Sequence, residues 1–322
     1  MSAHTADPQP SSRRAAERHG AGSTPTRRAR SAVALRPRST AALALVSVAG
    51  LLAFLWPLLA SADSRLGRSG DAPLVFALLL PLLLAVVLSE IAEGGLDVKA
   101  VAMLGVLSAV GAALRPLGAG TAGLETVFFL LVLGGRVFGP GFGFVLGSTT
   151  LFASALVTGG VGPWLPYQML GAAWVGLGAG LLPRTRPRWE VPLLCAYGAL
   201  AGLLYGVALD FSFWPFATGL DGHLSFVAGA PAWENLRRFA VFSAATSLWW
   251  DLGRAVTNVV LIAVTGRAVL ATLRRAARRA AFDTETAFDG STAAAPAGAP
   301  TAATGGGPHP DGEPAARHTL RG

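Results

Sequence analysis

Eight apolar runs limit what this chain can fold into. They cover residues 41–60, 72–91, 98–115, 123–138, 141–158, 166–183, 191–210 and about 240–272. About 20 apolar residues of helix cross a hydrocarbon layer of about 30 Å, and several of these runs approach that length. Composition agrees. Of 322 residues, 52% are hydrophobic and only 14% charged, and the mean hydropathy is +0.51, far from an ordinary soluble domain. The pattern predicts an all-α, polytopic membrane protein.

Charge distribution sets the expected topology. A net charge of +8 could suit nucleic acid, but the arginines cluster in the N-terminal tail, in residues 184–188 and after Arg267, each group just beyond an apolar span. That is the positive-inside pattern, so the charge reads as topology and no nucleic-acid partner is expected. Eight spans put both termini on one side, and residues 184–188 and Arg274–Arg279 fall there too, in the cytoplasm. Loop 61–71 weighs little, because Asp63 and Asp71 offset its two arginines. The expectation is a multi-pass protein of the cell membrane with both termini cytoplasmic.

The ends of the chain read differently. Residues 1–38 are rich in Arg, Ser, Pro and Ala without hydrophobic periodicity, which predicts a disordered basic tail able to touch anionic lipid. The pair Arg13-Arg14 is a weak twin-arginine match, with no apolar run until Ala41. Ala60-Ser61-Ala62 fits a signal-peptidase site, but the run before it is longer than a usual signal core and its preceding tail is long, which favours a retained span. Residues 282–322, rich in Ala, Gly, Pro and Thr, cannot bury enough surface to offset the entropy of ordering and are expected to be disordered. Between the tails, residues 39–96 hold two N-terminal spans and residues 97–281 hold six.

The stretch from Gly139 to Pro183 is the centre of this pattern. Gly139, Gly143 and Gly147 fall four apart, as do Gly176 and Gly180, so small residues line one face of each helix and let backbones approach closely in lipid. Arg136-Val-Phe-Gly-Pro140, the glycine ladder after it, and Gly160-Val-Gly-Pro-Trp-Leu-Pro-Tyr-Gln-Met169 together resemble the substrate-binding (S) component of energy-coupling factor transporters, over roughly residues 97–275. The resemblance implies a six-helix S-component-like core, from which the two extra N-terminal transmembrane helices depart. It implies a vitamin or related micronutrient as substrate, a transmembrane coupling subunit and two cytoplasmic ATPase subunits as partners, and toppling in the membrane as the mechanism of release. In that family the loop after the first core helix lids the pocket, so Arg115 and Glu125 would flank the lid.

Several residues are candidates for ligand contact. Glu125 follows a Gly/Ala-rich loop on the expected outer side, where it is a ligand contact, an interface carboxylate or a helix N-terminal charge. Arg115 and Glu125 contact ligand or pair with each other. Arg136 closes the short 123–138 span, and its bland reading is an interfacial arginine that snorkels. In the turn 159–168, Pro163 and Pro166 stiffen the backbone around Trp164, Tyr167 and Gln168. An aromatic belt explains the two rings, whereas a pocket also explains the amide. In the last span Ser243, Ser247, Asp251, Arg254 and Asn258 step by four, four, three and four on one helix face, beside Trp249 and Trp250. Such a row must point into the bundle or a wet cavity, as a structural network or a ligand contact.

Two more rows of small residues concern packing. Gly198, Gly202 and Gly206 line the seventh span, and Gly105, Ala109 and Ala113 line the third. Spacing alone favours packing inside the bundle for both. The resemblance makes the third-span row a docking face for the coupling subunit.

Missing motifs narrow the chemistry. Cys195 is the lone cysteine, His223 the only histidine between the first and last spans, and Lys99 the only lysine, followed by alanine. No disulfide, metal framework or phosphate-binding loop can be built from these. The expectation is therefore no catalytic residue, no metal, no cofactor and no enzymatic activity, with ATP hydrolysis left to partners. A stand-alone secondary transporter and a membrane-embedded enzyme are the rival classes. The first would want an internal repeat and the second a cluster of acid, base or metal groups.

Overall fold

Glycines decide how the centre of the bundle packs. The computed structural model of the protein describes residues 37–59, 82, 83, 85, 98–118, 122–217 and 222–292. The chain divides into two units, residues 1–281 and 282–322, and the account below concerns the first, apart from the end of its last helix, which runs past residue 281. Its helices are α1 (Pro37–Phe54), α2 (Trp56–Leu59), α3 (Val98–Gly118), α4 (Phe128–Phe138), α5 (Pro140–Thr158), α6 (Leu165–Leu181), α7 (Pro187–Phe213), α8 (Ala232–Thr246) and α9 (Leu248–Thr292). Among the described residues there is no strand.

Helices α4, α5 and α6 touch through their backbones. A Cβ added to Gly143 would collide with the Gly176 carbonyl, and one on Gly176 with the Gly143 carbonyl. Gly135 of α4 meets the same Gly176 carbonyl, and Gly147 meets that of Ala172. Each atom pair at such distances contributes only about 0.1–0.2 kcal/mol, but a side chain at any of these positions would forfeit a whole row of them. Gly139 makes the reversal from α4 into α5 with φ 100°, a conformation that glycine alone adopts freely. Pro140 then opens α5, where its missing N–H costs nothing.

Burial separates the central helix from the outer ones. Of its most apolar window, α5 buries 67%, whereas α3 buries 28% and α7 and α9 each 33%. These four helices are long and apolar enough to cross a membrane. The outer three present mostly exposed valine and leucine, as a lipid-facing surface requires. Helix α6 has 17 residues and is buried against α4, α5 and α7.

The structure revises several sequence boundaries. The expected span 123–138 is an 11-residue helix starting at Phe128, about 16 Å long. Residues 122–127 form a loop instead, because Ala122 (φ 44°) and Gly123 (φ 76°) take left-handed backbone that a helix excludes. The run 240–272 is not one helix: α8 ends at Thr246, and Ser247 breaks it with φ −120°, ψ −18°. Helix α9 then runs through the Arg/Ala-rich stretch after Arg274, whose residues are strong helix formers, and ends at Thr292. The tail 1–36, residues 293–322 and most of the run 72–91 lie outside the described residues.

Helix α1 packs onto α6. Tyr167 is buried, donates its hydroxyl to the Ala53 carbonyl at 3.2 Å and meets Phe54 edge-on with ring centroids 4.8 Å apart. Trp174 Nε1 donates to Ser47 Oγ at 3.1 Å. A separate aromatic cluster of Phe211, Trp214, Phe239 and Phe242 joins the end of α7 to α8.

Candidate functional site

The glycine row of α7 exists to admit a polar row of α9. A Cβ on Gly198 would meet Ile262 and Asn258, one on Gly202 would meet Asn258 and Arg254, and one on Gly206 would meet Asp251 and Arg254. With no side chains there, the α7 carbonyls become acceptors. Gly202 O accepts from Arg254 Nη1 at 3.2 Å, and Gly198 O accepts from Asn258 Nδ2 at 3.0 Å. Asn258 Oδ1 is buried without a partner.

Arg254 is the hub. Its Nε donates to Glu125 Oε2 at 2.7 Å and its Nη1 to Asp251 Oδ1 at 2.6 Å. Its carbon centre lies 5.3 Å from the centroid of the Tyr205 ring, a cation–π contact. The side chains of Arg254 and Asp251 are 6% and 5% exposed, whereas Glu125 retains 24%. Two carboxylates on one guanidinium satisfy the buried charge by charge-assisted hydrogen bonds. Glu125 is the member that water still reaches.

A loop sits over this hub. A Cβ on Gly123 would strike the Trp250 carbonyl, one on Gly253 the Ala122 carbonyl, and one on Gly118 the Leu124 carbonyl. Thr126 Oγ1 donates to the Leu114 carbonyl at 2.6 Å. Residues 122–127 are thus clamped between the end of α3 and the start of α9. Tyr205 stands beneath, edge-on to Phe128 with centroids 4.6 Å apart and against Gly171 of α6.

The structure therefore brings Glu125 and Asp251 together on Arg254 beside Tyr205, and pairs Arg115 with Gln168. Arg115 and Glu125 do not pair with each other. Arg115 Nη2 donates to Gln168 Oε1 at 3.0 Å, and Glu125 is held by Arg254. Trp164, Tyr167 and Gln168 do not form one pocket, because successive helix positions point different ways. Tyr167 faces α1. Trp164 is 50% exposed and donates Nε1 to the Gly160 carbonyl at 3.2 Å. Trp250 is 41% exposed. The polar row of the last span is split, since the break at Ser247 leaves Ser243 on α8, where Ser243 Oγ bonds Asp210 Oδ2 at 3.3 Å.

Tyr205 and Asp210 escape a reading of the sequence. Asp210 extends the row Gly198, Gly202, Gly206 by one more step of four, a signal that was available. Tyr205 has no such mark, because only the approach of α6 and α9 makes it central.

The other end of the bundle carries a second network. Arg136 does not snorkel. Its side chain is 7% exposed and its Nε lies 3.0 Å from Glu190 Oε1. Its Nη1 donates to the carbonyls of Leu182 (2.9 Å) and Pro183 (3.1 Å). Those carbonyls are left open where α6 ends, and they draw the guanidinium inward. Arg274 Nη2 bonds the same Glu190 oxygen at 2.6 Å. On α3, Gly105, Ala109 and Ala113 lie on the exposed face, and nothing stands within 4 Å of a Cβ at Gly105. The inward face is Leu104, Leu107, Ser108 and Gly111, with Ser108 Oγ 2.7 Å from Thr149 Oγ1 of α5.

Apolar helices enclosing buried ion pairs define a helical membrane protein. Among the described residues no group of three or more His, Cys, Asp or Glu could hold a metal ion. No family model matches the chain, and no curated protein and no solved structure matches it.

Proposed function

We propose that this membrane protein is the substrate-capture subunit of an energy-coupling factor importer for a vitamin or related micronutrient. In this reading residues 97–281 form the six-helix core, residues 39–96 add two helices, and both termini lie in the cytoplasm of a cell whose plasma membrane the protein spans. A transmembrane coupling subunit and two ATPase subunits supply the energy. The observation that carries the reading is the loop 122–127, seated over a buried guanidinium and latched by the partly exposed Glu125. Arg115 bonds a neutral amide, so its charge is the one the site leaves to a ligand. A ligand bearing a carboxylate or phosphate would engage Arg115, compete with Glu125 for Arg254 and open or close the loop accordingly. The exposed α3 row Gly105, Ala109 and Ala113 offers the coupling subunit a surface of small residues on which helices approach closely.

The test is purification of the full chain from cells fed a mixture of water-soluble vitamins, followed by mass spectrometry of small molecules that co-purify. One vitamin should be retained, and Arg115→Ala with Gln168→Ala should weaken it by about 1–3 kcal/mol. Retention of none, or retention indifferent to these substitutions, would remove the site. A secondary transporter is the second reading. It is favoured by the helix break at Ser247 near the half-buried Asp210, since broken helices line transporter sites. Uptake that persists in cells lacking any ATPase partner would select it.

A further inference from the structure

The basic end of the bundle contains a cleft that the import reading does not use. It lies between the start of α7 and the later part of α9, has a volume of about 380 Å³, and is lined by Pro187, Arg188, Glu190, Val191, Arg267, Leu270, Ala271 and Arg274. The α9 residues are spaced three, one and three apart, so they share one helix face. Glu190 is already engaged by Arg136 and Arg274. Among the described residues, Arg267 has no hydrogen bond or ion pair, and Arg188 has only the Trp189 ring, 6.0 Å away. The cleft thus holds guanidinium charge that no described residue neutralises.

Its position identifies the missing anion. Arg267 lies within an apolar span, Leu248–Arg279, two turns before Arg274 and about 10 Å deeper along the helix. Val256, Val260 and Val264 precede it and are 61%, 51% and 77% exposed, the surface of α9 that acyl chains cover. Trp189 is 59% exposed next to Arg188, where an indole marks the interface. An exposed guanidinium at this depth is costly unless an anion meets it there. We propose that the cleft binds the phosphodiester headgroup of an anionic phospholipid, with Arg188 and Arg267 on the phosphate oxygens and the acyl chains along the α9 valines. The guanidinium fork matches phosphate geometry, and Val191, Leu270 and Ala271 give the glycerol region an apolar wall.

Native mass spectrometry of the full chain tests this, with phosphatidylglycerol and phosphatidylcholine supplied in equal amounts. Wild-type protein should retain phosphatidylglycerol preferentially. Arg188→Gln and Arg267→Gln should each reduce that preference about 5-fold, and Arg275→Gln, which is outside the cleft, should not. Both tested side chains are exposed, and an unchanged melting temperature in the same detergent reports that the fold is intact. If either variant unfolds, Arg188→Lys or Arg267→Lys replaces it at the same position and should keep part of the preference. Equal retention of the two lipids by wild type overturns the proposal, as does an undiminished preference in the variants. Displacement of the lipid by millimolar inorganic phosphate also overturns it, because the site would then be one for a soluble anion.

Discussion

Two rows of small residues with the same spacing should respond oppositely to one methyl group. In α7, a Cβ on Gly206 would fall within bonding distance of Asp251 Oδ1 and crowd Arg254 Nη1. Either α7 and α9 move apart, or Asp251 rotates away and its 2.6 Å bond to Arg254 breaks. Overpacking of this kind costs about 1–3 kcal/mol, and loss of a hydrogen bond between buried charges about 1.5–3 kcal/mol. Whichever route is cheaper, Gly206→Ala should therefore destabilise by about 1–3 kcal/mol. In α3, Gly105→Ala meets nothing within 4 Å and replaces a poor helix former with the best, so it should be neutral or stabilising by up to about 1 kcal/mol. Unfolding of the purified protein by sodium dodecyl sulfate in mixed micelles measures both. Adding Asp251→Ala removes the first clash, so the cost of Gly206→Ala should fall in that background, as expected for residues in contact. Equal effects of the two alanines, or a Gly206→Ala protein within about 0.5 kcal/mol of wild type, would refute the packing of α7 on α9.

Three more outcomes follow from the geometry. Ala109→Trp and Ala113→Trp alter an exposed face, so the isolated protein should keep its melting temperature and ligand, while pull-down of the coupling subunit falls; intact pull-down would remove the docking role. Arg136→Gln leaves Glu190 with Arg274 alone and the Leu182 and Pro183 carbonyls without their donor, a loss of about 2–4 kcal/mol read by the same micelle titration. In a Cys195→Ala background, single cysteines at residues 184–188 and 274–279 should label from the cytoplasmic side and those at 116–118 and 222–230 from outside; any reversal would break the proposed topology.

The sequence by itself determined that the chain is helical and lives in lipid. Hydropathy sums over many residues, and a hydrocarbon layer accepts few shapes, so the boundaries of α3, α5 and α6 nearly coincide with their apolar runs. The glycine ladder of 139–180 was legible for a related reason: in lipid, small residues at intervals of four have few uses besides helix contact. The same spacing could not say which rows face inward. Gly198, Gly202 and Gly206 meet α9, whereas Gly105, Ala109 and Ala113 are exposed, and that difference depends on how neighbouring helices are rotated. Asp251, Arg254 and Asn258 were recognisable as one polar face, but their partners Glu125, Tyr205 and the Gly198 and Gly202 carbonyls come from distant segments. The helix break at Ser247 and the left-handed turn at 122–123 are backbone features, which leave no trace in hydropathy. Tyr167 and Gln168 are adjacent in the chain yet serve α1 and Arg115, because one helical step turns successive side chains by about 100°.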